Sequence, residues 1–144
     1  EFGNSGQVNY NSPVQIGTDT NWVQLAGGTY HTAGYKSDGT VYSCGYGAFG
    51  QLGAPLSYLG SISSPIQVGS LTNWKKLYYG NSSTFSAAIK TDGTLWTWGV
   101  NGYGQLGNGN RITYSSPIQV GSLSNWKEIS CGYSCMSGIA DGYY

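Results

Sequence analysis

One phrase occurs three times in this chain, and the interval between its copies limits the fold more than any other feature. NSPVQIGTDTNWVQL begins at Asn11, SSPIQVGSLTNWKKL at Ser63 and SSPIQVGSLSNWKEI at Ser115. Pro13, Pro65 and Pro117 are spaced by 52 residues, and so are Trp22, Trp74 and Trp126. A second phrase recurs between them. SDGTVYSCGYGAFGQLG (37–53) matches TDGTLWTWGVNGYGQLG (91–107) at an offset of 54. The two-residue difference arises between Leu25 and Asp38 and is removed between Gly53 and Pro65, as loops tolerate. Glu1-Phe2-Gly3 resembles Ala48-Phe49-Gly50 and Gly102-Tyr103-Gly104, so the chain opens inside a repeat, and it closes inside another at Asp141-Gly142. The units are about 1–53, 54–107 and 108–144, the first and last incomplete.

Each unit reads as short strands. PIQVG is a proline-led strand start, NWKKLYYG alternates, and STFSAAIK leads through Asp92-Gly93 into LWTWG. Asp-Gly between apolar runs signals a type I′ hairpin whose glycine takes positive φ. Gly39 and Gly93 hold that place, and Gly142 is the third instance. No segment carries a sustained 3.6-residue apolar period. Four short strands per unit of about fifty residues predict an all-β chain of propeller blades, about three of them, each of four antiparallel strands. Leu95 and Trp96 alternate faces, as do Thr97 and Trp98, so one indole should pack between sheets. Gln105, between two glycine turns, is placed to tie its loop through its amide.

These residues resemble the regulator of chromosome condensation repeat. AGGTYHTAGYKSDGTVYSCG (26–45) carries the glycine, the His31-Thr32 pair and the Asp-Gly turn, and SAAIKTDGTLWTWGVNGYGQLGNG matches more fully. The resemblance implies a seven-bladed β-propeller with four strands per blade. It leaves function open, because members include a guanine-nucleotide exchange factor, an ultraviolet-B receptor, a secreted inhibitor of β-lactamases and parts of ubiquitin ligases. Departures occur at Cys44 in the place of Trp98, and at Phe85-Ser86 and Met136-Ser137 in the place of His31-Thr32.

Fewer than three blades cannot close a ring. A blade face of about 400 Å², if mostly apolar, costs up to roughly 10 kcal/mol to expose at about 25 cal/mol/Å². The open ends therefore call for further blades of a longer chain, other copies, or another subunit.

Chemistry is sparse. Charged residues make up 8 % of the chain, with 6 Lys and Arg against 6 Asp and Glu. That balance offers no basic stripe for nucleic acid, and no apolar run reaches the ~18 residues of a membrane span. Cys131 and Cys135, with the single His31, make no zinc set, although a strained Cys131–Cys135 disulfide is conceivable. His31 is a scaffold residue with no nucleophile travelling with it. Asp38, Asp92 and Asp141 belong to turns, and Asp19 and Glu128 lack an evident partner. We therefore expect no enzyme, no metal and no cofactor. Low charge with 24 Gly and 13 Tyr points to an extracellular, cell-surface or virion protein, acting as a binding or structural module.

Recognition is expected at the rim loops. Phe49, Tyr58, Tyr78, Tyr79, Tyr103 and Tyr114 stand there among Ser, Asn and Gly, a composition suited to a protein or glycan partner. Asn81-Ser82-Ser83 is an N-glycosylation sequon. Trp22, Trp74, Trp98 and Trp126 are assigned to structure. The alternatives that the resemblance suggests are an exchange-factor-like propeller or a secreted protein inhibitor; exchange would need a basic arm, and ultraviolet sensing would need arginines beside tryptophans, whereas Arg111 is the only arginine.

Overall fold

A computed structural model describes residues 11–54, 60–80 and 84–142. Tyr58 and Asn81 lie outside the described residues. The first sheet runs β1 (Trp22–Gly27), β2 (His31–Lys36), β3 (Val41–Tyr46) and β4 (Ser61–Gln67) in sequential antiparallel order. The second repeats it with β5 (Trp74–Tyr78), β6 (Phe85–Lys90), β7 (Leu95–Gly99) and β8 (Tyr114–Gln119). The third is the hairpin β9 (Trp126–Cys131) with β10 (Met136–Ala140).

Local chemistry explains the joints. Asp38 Oδ1 accepts from the Thr40 amide at 3.0 Å and hydroxyl at 2.6 Å, and Asp92 does the same with Thr94. The Gly39 amide donates to the Lys36 carbonyl, and the Lys36 amide to the Thr40 carbonyl. This makes a three-residue loop with Gly39 left-handed at φ +77°, the turn-plus-bulge hairpin rather than the two-residue type I′ turn read from the sequence. A second demand acts on that glycine. A Cβ on Gly39 would lie 1.9 Å from the Thr72 carbonyl oxygen, and one on Gly93 2.1 Å from that of Ser124. The turn of each sheet is thus pressed against the lead-in to the next. The amides of Trp74 and Trp126 donate to the carbonyls of Gly39 and Gly93 at 3.2 and 3.1 Å.

Two sequence expectations shift. Pro65 and Pro117 sit within β4 and β8, not at their starts; both strands are sheet edges, where a missing donor is tolerated. Asp141 donates its amide to Asn125 O as Ser37 does to Asn21 O and Thr91 to Asn73 O. Asp141 therefore stands one place before the turn aspartate, and Gly142 is not the counterpart of Gly39. The same register makes Cys135-Met136, not Met136-Ser137, the counterpart of His31-Thr32.

The sheets stack face to face. Ala33, Val41 and Val68 of the first meet Trp74, Leu77, Ala88 and Trp98 of the second. Ala87, Ile89, Leu95 and Val120 then meet Ile129, Trp126 and Met136 of the third. Every residue of β6 is buried, because it has a neighbour on both faces. Trp22, Trp74 and Trp126 occupy equivalent register positions, opposite Lys36, Lys90 and Ala140, each followed by a bulge. The Lys36 ammonium lies 4.8 Å from the Trp22 ring and 4.0 Å from that of Tyr42. Lys90 repeats this over Trp74 and Trp96, at 5.2 and 3.4 Å.

The outward face of the first sheet has no covering sheet among the described residues. Trp22, Leu25, Gly34, Tyr42 and Cys44 line a cavity of about 640 Å³ there. Leu25 is 67 % exposed, whereas Leu77, at the same place in the next unit, is 1 % exposed.

Candidate interaction surface

The loop after the third strand of each unit does two jobs. Its buried side tucks over the following sheet. The Gln51 carbonyl accepts from Trp98 Nε1 at 3.0 Å and from Ser86 Oγ at 2.9 Å. Trp98 is therefore the indole that packs between sheets, while Trp96 sits half-buried beneath Lys90. Cys44, at Trp98's position, lies on the open face. The other side of the loop is presented outward. Phe49 donates its amide to Gln51 Oε1, and Tyr103 donates to Gln105 Oε1, both at 2.9 Å. Both glutamines are buried, so each amide is spent on shaping a tip. The two tips carry aromatic side chains 47 % (Phe49) and 78 % (Tyr103) exposed.

Around Phe49 the first unit adds two rings that the second lacks. The Tyr46 amide donates to the Tyr30 carbonyl, as Val100 does to Thr84, so Tyr30 and Tyr46 replace a threonine and a valine. Tyr30 and Tyr46 meet edge to face at 6.3 Å between centroids, and Tyr46 meets Phe49 likewise at 5.8 Å. Thr29, Ser61 and Thr84 complete a groove of about 490 Å³ around them. Sequence reasoning missed Tyr30 and Tyr46. Their signal was present: they are departures from the repeat at loop-facing strand ends.

The other candidates are differently placed. Tyr79 packs against the first seam with its hydroxyl buried, and that burial pushes its pKa up. Tyr78 packs on the second seam, donating to the Lys127 carbonyl and Glu128 Oε2, each at 3.2 Å. The Tyr114 hydroxyl accepts from Asn110 Nδ2 at 3.0 Å within its own loop. These three rings serve packing and loop order. Asp19 and Glu128 gain partners unseen in the sequence, pairing with Lys36 at 2.7 Å and with Lys76. The hydrogen bond that Lys36 donates to Asp19 holds the Lys36 pKa above its ordinary value.

His31 is 4 % exposed, edge-on to Tyr79, with Nε2 3.4 Å from Ser86 Oγ. Burial pulls its pKa down to about 4, so it is neutral at pH 7. No disulfide joins Cys131 and Cys135. Among the described residues no group of His, Cys, Asp or Glu could hold a metal, and no helix is long and apolar enough to cross a membrane.

Two four-stranded sheets and a third in part, stacked on apolar faces and stapled by equivalent loops, define an arc of β-propeller blades. The chain belongs to the regulator of chromosome condensation (RCC1) repeat family, whose models match residues 38–87 and 92–137, and residues 22–51. It is 32% identical over 111 residues to the ultraviolet-B receptor UVR8 of Arabidopsis thaliana, covering 76% of this chain and 25% of that protein. It is 33% identical over 128 residues to the human E3 ubiquitin-protein ligase HERC2, covering 84% of this chain and 3% of the relative. It is 34% identical over 107 residues to the mitochondrial RCC1 domain-containing protein RUG3 of Arabidopsis thaliana, covering 74% and 24%. The chain thus spans a quarter or less of each relative's length. Among solved structures, human WBSCR16 superposes with a TM-score of 0.74 at 23% identity, over 96% of this chain and 38% of that one. Prp20p of Saccharomyces cerevisiae, described with its binding to Gsp1p and histones, superposes with 0.74 at 17% identity, over 90% and 33%.

These relatives correct one expectation. The extracellular, cell-surface or virion placement is overturned: RUG3 of Arabidopsis thaliana is mitochondrial, and none of these relatives points to an extracellular or viral setting. The physical reason is that the composition reflects the fold. Glycines are placed by turns and sheet-to-sheet clearances, and aromatic rings by seams, so neither reports a compartment.

Proposed function

We propose that this arc is a non-catalytic protein-interaction module that engages its partner through the rim loops. The observation that carries the reading is the pair of aromatic tips, Phe49 and Tyr103, each held rigid by a buried glutamine amide and each turned to solvent. A rigid aromatic knob offers large contact area with little entropy to lose. The seam chemistry argues against catalysis: Ser86 and His31 approach each other, but both are sealed from any dissolved substrate. Charge argues for a protein rather than a nucleic acid. Lys36, Lys76 and Lys127 are paired to carboxylates and Lys90 to an indole, leaving too few cations to neutralise a phosphate backbone. In this reading the open face around Trp22 and Leu25 is a blade seam, covered by a further blade of the same kind.

The test is photo-crosslinking in a lysate of the source organism, with the reactive residue at position 49, 103 or 123. Leu123, exposed and away from both tips in sequence, is the control. One protein captured from both tips and not from position 123 supports the reading. Equal capture at all three, or none at the tips, overturns it.

A further inference from the structure

We propose that the groove formed by Tyr30, Tyr46 and Phe49 binds an uncharged, proline-rich segment of a partner protein in the polyproline II conformation. The inference rests on the interaction-module reading and names the partner chemistry at one of its two tips.

The argument begins with what repeats and what does not. Scaffold features recur in the second unit: the Asp-Gly turn, the glutamine-braced tip, and the turn-glycine carbonyl that accepts from the next sheet's tryptophan amide. The tyrosine pair does not recur, since its counterparts are Thr84 and Val100. Packing of the blade therefore does not require these rings, and Tyr30 is 66 % exposed.

The geometry then selects a ligand shape. The three rings stand edge to face, at interplanar angles of 77° and 72°. Such a chain presents furrows between rings rather than one flat platform, which suits a ridged rod better than a flat sugar ring. The centroids are 6.3 and 5.8 Å apart, and two residues of polyproline II advance about 6.2 Å. Successive furrows thus match residues two apart on such a rod, the arrangement by which aromatic grooves read proline-rich segments.

Polar groups fit the same ligand. A polyproline II segment has no internal hydrogen bonds, so its carbonyls need outside donors. Tyr30 is exposed, so its hydroxyl can reach such a carbonyl. Thr29, Ser61 and Thr84 add hydroxyls, and none of the lining residues is charged. An acidic or basic segment would lose its hydration there without gaining a counter-charge.

The experiment uses the 144-residue chain and a fluorescein-labelled oligoproline of ten residues, followed by anisotropy. A Gly/Ser peptide of the same length and a neutral β-linked glucose oligosaccharide serve as competitors. Oligoproline should bind saturably. Tyr46→Ala and Tyr30→Ala should each weaken it at least tenfold, Tyr46→Phe by a smaller factor, and Leu123→Ala, at an exposed position away from both tips, not at all, with urea midpoints unchanged in all four. No binding at millimolar peptide, binding indifferent to Tyr46→Ala, or displacement by the oligosaccharide overturns the inference. If oligoproline fails while crosslinking still captures one protein from both tips, only this inference falls. If oligoproline binds as described and crosslinking finds nothing at Tyr103, this inference stands and the two-tip reading falls.

Discussion

Leu25 and Leu77 occupy one position in two copies of a unit, differing only in what lies opposite. That makes them a controlled comparison of burial. Leu77 is 1 % exposed between two sheets, in contact with a core that includes Trp74 and Trp98. Its truncation to alanine removes the transfer energy of the side chain and leaves a cavity that the flanking strands cannot close. The cost should be about 3–5 kcal/mol, the range for fully enclosed leucines. Leu25 is 67 % exposed, so about a third of a leucine's burial is at stake. A third of roughly 1.5–3 kcal/mol is about 0.5–1 kcal/mol, with no enclosed cavity to add. Urea denaturation of Leu25→Ala and Leu77→Ala, followed by tryptophan fluorescence, measures both. The expected result is a gap of at least about 2 kcal/mol between them. Equal and large losses in the monomeric 144-residue chain would refute the reasoning, because they would mean that this arc by itself already encloses Leu25.

Three further outcomes are expected. Gly39→Ala should destabilise by well over the roughly 1–2 kcal/mol of a left-handed residue, since its Cβ meets the Thr72 carbonyl at 1.9 Å; Gly104→Ala, at φ +80° with open space around it, should cost only that strain, and thermal melts of the two separate the terms. His31 has a folded pKa of about 4 against an ordinary 6.5, so the unfolded chain binds more protons between those values. Its contribution is fully present above pH 6.5 and is lost as pH falls through 4, up to about 3 kcal/mol in all; His31→Asn should flatten that part of a urea-stability profile. Trp98→Phe should cost about 2 kcal/mol, from lost ring area and from the Gln51 carbonyl left without its indole donor, a difference readable in urea midpoints.

The strands, the turn aspartates Asp38 and Asp92, and the recurrence of the tips were legible because each depends on neighbours in sequence. Asp38 binds Thr40, and Phe49 binds Gln51, two residues away in both cases. The candidate surface was legible only in part. Phe49 and Tyr103 follow from the loop repeat, but Tyr30 and Tyr46 become neighbours only when β2 and β3 pair. Tyr79 and Tyr114 look like rim residues in sequence and are drawn into packing or loop order by partners on other elements.

What the sequence determined by itself is the period of the chain, the placement of its left-handed glycines and the all-β character, since strand pattern and turn chemistry are local. What only the tertiary structure decided is which copy of a repeated residue is buried, which carboxylate finds a lysine, and which aromatic rings share a groove. Trp22 and Trp74, Leu25 and Leu77, are the same words in the sequence. They differ because burial is a property of the opposing sheet, and no residue carries the identity of its opposite face within its own segment.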